Sequence, residues 1–166
     1  IDLHDLGWTA LTETAQGLDI AATCRIADLH GFRPKANWAA APLIPACCES
    51  LLASFKIWNA ATVGGNVCMS LPAGAMIALT AGLEGVCTLW PRGGKPRQVA
   101  VLDFVTGVHA NVLQPGELLR GDRVGVDREE LRGTGGERVV RRGHHPARAV
   151  VQHLGGGAAR ARPVVI

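Results

Sequence analysis

The chain contains no tyrosine and few other aromatic residues: of its 166 residues, four are tryptophan and three are phenylalanine. All seven lie in the first 104 residues, and the last 40 residues contain neither an aromatic residue nor a lysine. Binding of single-stranded nucleic acid commonly uses aromatic side chains that stack on the bases. We therefore do not expect the C-terminal segment to recognise a single strand, although its arginines could contact phosphates.

The sequence also lacks a long apolar run. Its longest uncharged stretch, residues 57–83, is interrupted by two asparagines, a serine, a proline and several glycines. A transmembrane helix needs roughly 20 consecutive apolar residues. No basic and apolar leader of the secretory type is visible at the beginning of the sequence. We expect a cytoplasmic protein that makes no membrane contact.

Metal-binding and nucleophilic motifs are missing as well. The five cysteines (Cys24, Cys47, Cys48, Cys68 and Cys87) form no Cys-x-x-Cys pair, so neither a zinc site nor an iron–sulfur cluster is expected on this chain. Small apolar residues surround most of them, which predicts buried free thiols in a reducing compartment. The sequence contains no P-loop, Rossmann glycine pattern or Gly-x-Ser-x-Gly elbow. We assign no catalytic residue and no metal ligand.

Charge divides the chain into two parts. Residues 1–126 contain nine Lys or Arg and ten Asp or Glu, whereas residues 127–166 contain eight Arg and four Asp or Glu. Arginine and glycine together make up 15 of those last 40 residues. The sequence therefore predicts a folded domain over residues 1–126 and an Arg/Gly-rich tail over residues 127–166. We interpret the tail as disordered or as the product of a shifted reading frame.

The pattern of apolar residues predicts both strands and helices. Predicted strands cover residues 1–6, 17–22, 85–90, 97–101 and the segment from Leu118 onward. Predicted helices cover residues 25–30, 45–53, 73–83 and a short segment near residues 104–107, with Asp103 as its cap. Residues 11–16 fit a strand or a helical turn. We interpret residues 56–71 as an ordered loop with strand-like ends.

The segment Ala61-Thr62-Val63-Gly64-Gly65-Asn66 is the strongest candidate for a binding site. Two adjacent glycines let the backbone approach a ligand without interference from a Cβ atom. The Thr62 hydroxyl and the Asn66 amide are suited to hydrogen-bond a diphosphate, a ribityl chain or a flavin ring. Taken alone, the same six residues also fit an ordinary Gly-Asn turn.

Several motifs in one order resemble the FAD-binding subunit or domain of the molybdenum hydroxylases, the family of xanthine dehydrogenase and carbon monoxide dehydrogenase. The segment from Ile57 to Asn66 is similar to the family's Ile-Arg-Asn-x-Ala-Thr-Ile-Gly-Gly-Asn loop. The segment from Gly17 to Thr23 resembles a family strand, although Ala21 replaces its usual glycine. Asp103-Phe104 and the segment from Leu113 to Leu119 match later motifs. The matches span about residues 1–120.

This resemblance implies an α+β, two-lobed FAD-binding domain of the molybdopterin dehydrogenase flavoprotein type, with an incomplete first lobe. It implies FAD on this chain, and molybdopterin and 2Fe-2S clusters on a large and a small partner subunit. It implies that the FAD is lined by Ala61, Thr62, Gly64, Gly65, Asn66 and, more weakly supported, Cys68. The implied function is to pass electrons from the iron–sulfur clusters through FAD to NAD or another acceptor.

The sequence departs from the family in three ways. The family's N-terminal Gly-Gly-Thr diphosphate loop has no counterpart in this sequence. We therefore expect that the chain begins some tens of residues after the usual start of the family's domain, and that it binds FAD weakly. Ala75 occupies the position of a family aspartate that helps hold the flavin. The family pattern cannot be traced beyond about Arg120. Two alternatives stay open: a cofactor-free remnant that keeps the fold or a partner surface, and a nucleic-acid-binding module that uses the basic tail.

Overall fold

The computed structural model describes residues 3–34 and 38–125. Within them a five-stranded sheet is formed by β1 (Leu11–Thr14), β2 (Gly17–Ala21), β3 (Val86–Pro91), β4 (Arg97–Ala100) and β7 (Glu117–Val124). The strands lie in the order β1-β2-β7-β3-β4, and every neighbouring pair is antiparallel. A separate two-stranded ribbon pairs β5 (Val105–Gly107) with β6 (Ala110–Asn111).

Six helices complete the described part of the chain: α1 (Ile26–Gly31), α2 (Leu43–Ser50), α3 (Phe55–Trp58), α4 (Val63–Met69), α5 (Ala75–Gly82) and α6 (Val101–Phe104). Helix α4 packs against β2 and β7, and α5 packs against α2 and β7. One face of the sheet is buried by this packing, because Leu18, Ile20, Cys87 and Leu89 are almost completely inaccessible. The opposite face carries half-exposed or exposed polar residues such as Asp19, Thr88 and Arg123.

Most predicted elements are confirmed. The strands near residues 17–22, 85–90 and 97–101 and the one after Leu118 are present, as are the helices near residues 25–30 and 73–83. For residues 11–16, where the sequence allowed a strand or a helical turn, the structure has strand β1 over Leu11–Thr14. The predicted helix over residues 45–53 instead begins at Leu43. This start is compatible with Pro45, because a proline in the first helical turn removes an N–H that has no partner within the helix.

Three predictions of local structure were wrong. His4–Leu6 form a single turn of 3-10 helix instead of a strand, and Gly7 ends that turn in the left-handed region at φ 61°. Residues 56–71 contain α3 and α4 and are not a loop. Helix α4 was not predicted because it contains two glycines. Its helical spacing is nevertheless present in the sequence, since Val63 and Val67, four residues apart, both bury their side chains completely. The short helix predicted near residues 104–107 lies earlier, at Val101–Phe104, and Val105–Gly107 form a strand. Asp103 is therefore the third residue of α6, and the position of the cap belongs to Ala100.

The cysteines agree with the prediction of free thiols. None of the five forms a disulfide, and Cys24, Cys48 and Cys87 are buried. Burial raises the pKa of Cys24 and of Cys48 to about 12, so both remain protonated at physiological pH. No group of three His, Cys, Asp or Glu side chains in the described part of the chain is placed to hold a metal ion.

One acidic side chain lies inside the core. Asp122, in the middle of β7, is only 2% exposed and is paired in register with Ile20 on one side and Cys87 on the other. Neither carboxylate oxygen has a hydrogen-bond partner of ordinary geometry. Burial raises the pKa of Asp122 from 3.8 to about 6, and the weak S–H donor of Cys87 lowers it only slightly.

The predicted tail, residues 127–166, lies outside the described residues, as do Ile1, Asp2 and residues 35–37. Among the helices that the structure describes, none is both long and apolar enough to cross a membrane.

Candidate cofactor site at the start of helix α4

The N-terminal turn of α4 is fixed by Thr62. This residue has extended backbone angles (φ −114°, ψ 157°), and its side-chain oxygen accepts a hydrogen bond of 3.0 Å from the Gly65 N–H. That arrangement is an ordinary N-cap, which satisfies one of the amides left unpaired at the start of a helix. The preceding residue, Ala61, is tied to α1 because its carbonyl accepts a 3.0 Å bond from the Ile26 N–H.

The other amides of this turn are also occupied. The Val63 N–H donates to the Cys24 carbonyl at 2.8 Å, and the Gly64 N–H donates to the Ala22 carbonyl at 3.0 Å. The segment after β2 thus satisfies two of the amides that a helix start normally offers to an anion. A ligand at this turn would have to be held by side-chain donors and close packing and not by a row of free backbone N–H groups.

The two glycines serve different purposes. Gly64 is buried, and a Cβ atom there would lie 2.4 Å from the Cβ of Ala22, so only glycine allows α4 to approach the end of β2 this closely. Gly65 is exposed, and a Cβ atom there would meet only the Thr62 hydroxyl oxygen, at 3.0 Å. Gly65 therefore leaves the backbone of this turn exposed, and this exposed edge is where a ligand can approach.

Asn66 links α4 to the next helix. Its side-chain oxygen accepts a 3.0 Å hydrogen bond from the Met76 N–H in the first turn of α5. The interaction spans ten residues and fixes the half-buried Asn66 side chain. Its oxygen is thereby engaged, which leaves the amide N–H groups as the donor end of the side chain. Ala75, at the position where the resemblance implies an aspartate, is buried at the start of α5 and offers no carboxylate.

Cys68 lies on the protein side of α4. It follows Gly64 by four residues, so both occupy the side of the helix that faces the sheet. Burial raises the pKa of the Cys68 thiol to about 11, and the charge of Asp122 contributes to the same shift. The Cys68 carbonyl accepts a 2.9 Å bond from the side chain of Asn111 on β6. A protonated thiol in this position has a packing role and no nucleophilic one.

The structure thus divides the predicted site residues into two groups. Thr62, Gly65 and Asn66 lie within one turn and carry an exposed edge or an amide donor, with Ala61 half-buried beside them. Gly64 and Cys68 lie on the side of α4 that faces the sheet. The carbonyl groups of Ala22 and Cys24 could not be predicted as part of this turn, because backbone acceptors from a distant segment have no signature in the sequence.

Large apolar side chains are exposed on both sides of this turn. In the segment before it, Leu52 is 98% exposed and Phe55 is 81% exposed. In the segment after it, Met69 and Leu71 are also exposed. Their exposure could not be predicted from the sequence, because apolar residues near a helix are normally expected to be buried. Their exposure is typical of a surface that contacts a ligand or a partner.

The comparisons with known proteins identify the class. Residues 1–124 match the family model described as the FAD binding domain in molybdopterin dehydrogenase. The chain belongs to this family. The predicted α+β FAD-binding fold of the molybdopterin dehydrogenase type is thereby confirmed, and FAD is the cofactor after which the family's domain is named. No curated protein matches the chain.

Solved structures of similar fold include CO dehydrogenases and a quinoline 2-oxidoreductase. A Cu,Mo-CO dehydrogenase in its cyanide-inactivated form is 30% identical over 76% of this chain, with a TM-score of 0.68. A reconstituted CO dehydrogenase from Oligotropha carboxidovorans is 29% identical over 71% of this chain, with a TM-score of 0.63. Quinoline 2-oxidoreductase from Pseudomonas putida 86 is 20% identical over 70%, with a TM-score of 0.61, and shares the fold. The chain spans 43%, 40% and 40% of these three chains.

Proposed function

We propose that this chain is the FAD-binding, electron-transfer part of a molybdenum hydroxylase, and that the start of α4 forms one wall of its cofactor site. The observation that carries the proposal is the exposed edge at Gly65, with the Thr62 hydroxyl and the Asn66 amide beside it. The family match over residues 1–124 supports FAD as the ligand.

The residues of this wall offer FAD side-chain hydrogen-bond donors and a place of close approach. The Thr62 oxygen accepts from Gly65, but its O–H is still available to donate to a phosphate or ribityl oxygen. The Asn66 amide can also donate, while its oxygen stays bonded to Met76. Gly65 allows a flat or bulky group to come close, and Ala61 supplies a small neighbour. Gly64 and Cys68 would act indirectly, because they set the position of α4 against the sheet.

Bound FAD supplies the redox chemistry of such a domain, since it can accept electrons one at a time and deliver a pair. This chain's residues bind and orient the cofactor and exclude water from one side. None of them needs to act as a general base, and the thiol of Cys68 stays protonated because its pKa is raised by burial.

The partners follow from the same proposal. We propose a molybdopterin-binding large subunit, which would oxidise the substrate, and a small subunit with 2Fe-2S clusters, which would pass electrons to the FAD. The terminal acceptor would be NAD or another oxidant, and the complex would be cytoplasmic. The exposed apolar side chains of Leu52 and Phe55, in the segment that precedes α4, support a contact surface for a partner or a ligand.

A cofactor-free remnant of the domain is the second candidate, and one specific observation favours it. The amides of Val63, Gly64 and Gly65 are all hydrogen-bonded within the protein, and Ala75 offers no carboxylate. Such a chain would keep the fold and the exposed apolar surface but would retain little affinity for the flavin.

The experiment that separates the two candidates is a titration of the full chain with FAD, followed by quenching of flavin fluorescence and by native mass spectrometry. Saturable binding that Thr62→Ala weakens by about tenfold, the loss expected for one charge-assisted hydrogen bond, supports the cofactor site. Thr62→Ser keeps both the hydroxyl and the helix cap and should bind like the parent chain. Thr62→Asp keeps a capping oxygen but has no hydroxyl donor, so weak binding by a Thr62→Asp chain that unfolds like the parent separates a lost contact from a lost helix cap. Thr106→Val, at an exposed position on β5, should bind like the parent chain. Absence of binding by a folded chain would establish the remnant.

A further inference from the structure

The outward face of the sheet carries a second concave site, away from the turn that Thr62 caps. It is a cavity of about 340 Å³ formed by β1, β2, β7 and β3, and its polar lining includes Thr9, Thr12, Thr88, Asp19, Arg120 and Arg123. Gly121 contributes no side chain to the floor. The volume is at the lower end of the range typical of small-molecule sites.

A β-bulge places Arg120 in this cavity. Thr88 pairs with Gly121, whereas the next residue of β3, Leu89, pairs with Leu119. Arg120 is therefore the extra residue of β7, opposite no single partner on β3. Bulges re-aim a side chain relative to the regular alternation of a strand. Leu119 keeps its place in the core, while Arg120 joins the outward face.

Two indole rings hold the guanidinium of Arg120. Its central carbon lies 4.2 Å from the ring centroid of Trp8 and 5.5 Å from that of Trp90. The two rings contact each other edge to face, with centroids 5.6 Å apart and an angle of 73° between their planes. Stacking uses the face of a guanidinium and leaves its N–H donors, which lie in the plane of the group, available for hydrogen bonds.

Within the described part of the chain, Arg120 has no ionic partner, unlike the other arginine of this cavity. Arg123 is bound to Asp19 through two hydrogen bonds of 2.6 and 3.1 Å. No carboxylate of the described residues lies within ion-pair distance of Arg120. Asp122 is in register with Ile20 and Cys87 and therefore points its carboxylate to the opposite face of the sheet. As far as the described residues go, the cavity thus contains one orientated cation that no carboxylate compensates, beside three threonine hydroxyls.

We propose that this cavity binds a small organic anion, a carboxylate or a phosphate monoester, through a bidentate contact to Arg120. A planar guanidinium that is already held by its face loses little freedom when two parallel N–H···O bonds form along its edge. The hydroxyls of Thr9, Thr12 and Thr88 can donate to the remaining oxygens. This site is independent of the proposed cofactor site, so one can be absent while the other is present.

The test uses the full chain with citrate and inorganic phosphate as separate probes, followed by calorimetry and by the indole N–H signals in a nitrogen–proton NMR spectrum. The four tryptophans give four signals. Binding at this site should shift the signals of Trp8 and Trp90 in a saturable manner and leave those of Trp38 and Trp58 in place. Shifts of all four signals alike, or of none, would overturn the proposal.

Matched variants separate this site from the other arginines, including the eight in residues 127–166. Arg120→Gln should weaken binding of the preferred probe by at least about tenfold, because two charge-assisted hydrogen bonds are lost. Arg92→Gln removes the same charge at an exposed hairpin position and should change the affinity less than about twofold. Arg120→Lys keeps the charge but not the bidentate geometry and should be intermediate. Equal effects of Arg120→Gln and Arg92→Gln would refute the site. Preference between citrate and phosphate identifies which of the two anion types it takes.

Discussion

Replacing Asp122 with asparagine should stabilise the protein at neutral pH. The substitution keeps the size and shape of the side chain and removes only its charge. Asp122 is 2% exposed, and neither of its oxygens has a hydrogen-bond partner of ordinary geometry. The folded state therefore bears the cost of an ionised carboxylate that the unfolded chain leaves in water.

The size of the effect follows from proton linkage. The pKa of Asp122 rises from 3.8 in the unfolded chain to about 6 in the fold, and each pKa unit corresponds to about 1.4 kcal/mol. The ionised carboxylate thus costs about 3 kcal/mol above pH 6. The folded state binds the proton more tightly, so this cost is absent below about pH 4 and grows as the pH rises from 4 to 6.

The assay is urea unfolding of the full chain and of Asp122→Asn at several pH values between 4 and 8. Asparagine resembles the protonated acid, so the two chains should have nearly equal unfolding free energies at the acidic end. The variant should be more stable by about 3 kcal/mol from pH 7 upward. Asp5→Asn, which changes an exposed carboxylate, is the matched control and should show no such divergence. A difference between Asp122→Asn and the parent chain that does not vary with pH would refute the reasoning.

The remaining predictions concern the packing of α4 and the thiols. Gly64→Ala should destabilise the chain by about 1–3 kcal/mol in thermal or urea unfolding, because its Cβ would overlap Ala22. Gly65→Ala should cost less, since its only near neighbour is the Thr62 hydroxyl; equal costs would contradict the packing of Gly64. Alkylation with iodoacetamide at neutral pH, followed by peptide mass spectrometry, should modify Cys47 before Cys24 or Cys87, because burial raises all three pKa values but leaves Cys47 half-exposed. Early modification of Cys87 would show that β3 is not packed as described.

Strands with regular alternation could be predicted from the sequence, and so could the apolar helix α5. Their signals are local: Cys87 and Leu89 alternate with Thr88, and the residues of α5 are almost all apolar. Helix α4 could not be predicted in this way. Its two glycines are poor helix formers, and it is stabilised by contacts with Ala22 and Cys24, which lie about 40 residues earlier in the chain.

The candidate site stays a prediction, although the structure places Thr62, Gly65 and Asn66 together at the first turn of α4. The sequence indicated these three residues as polar or small groups of one segment. It could not show that the amides of Val63 and Gly64 already have partners, because the acceptors belong to another segment. The bulge that places Arg120 on the outward face could not be predicted from the sequence either, since it depends on the register between β3 and β7.

The central position of β7 has a consequence for how the chain folds during its synthesis. This strand is the last of the sheet in sequence, yet it lies between β2 and β3 and hydrogen-bonds to both. Its Arg123 contacts Asp19 across a separation of 104 residues. A ribosome must therefore release nearly the whole of residues 3–125 before the two halves of the sheet can join. Until then β1–β2 and β3–β4 are two hairpins with open edges, and this interval is when the nascent polypeptide is most exposed to aggregation.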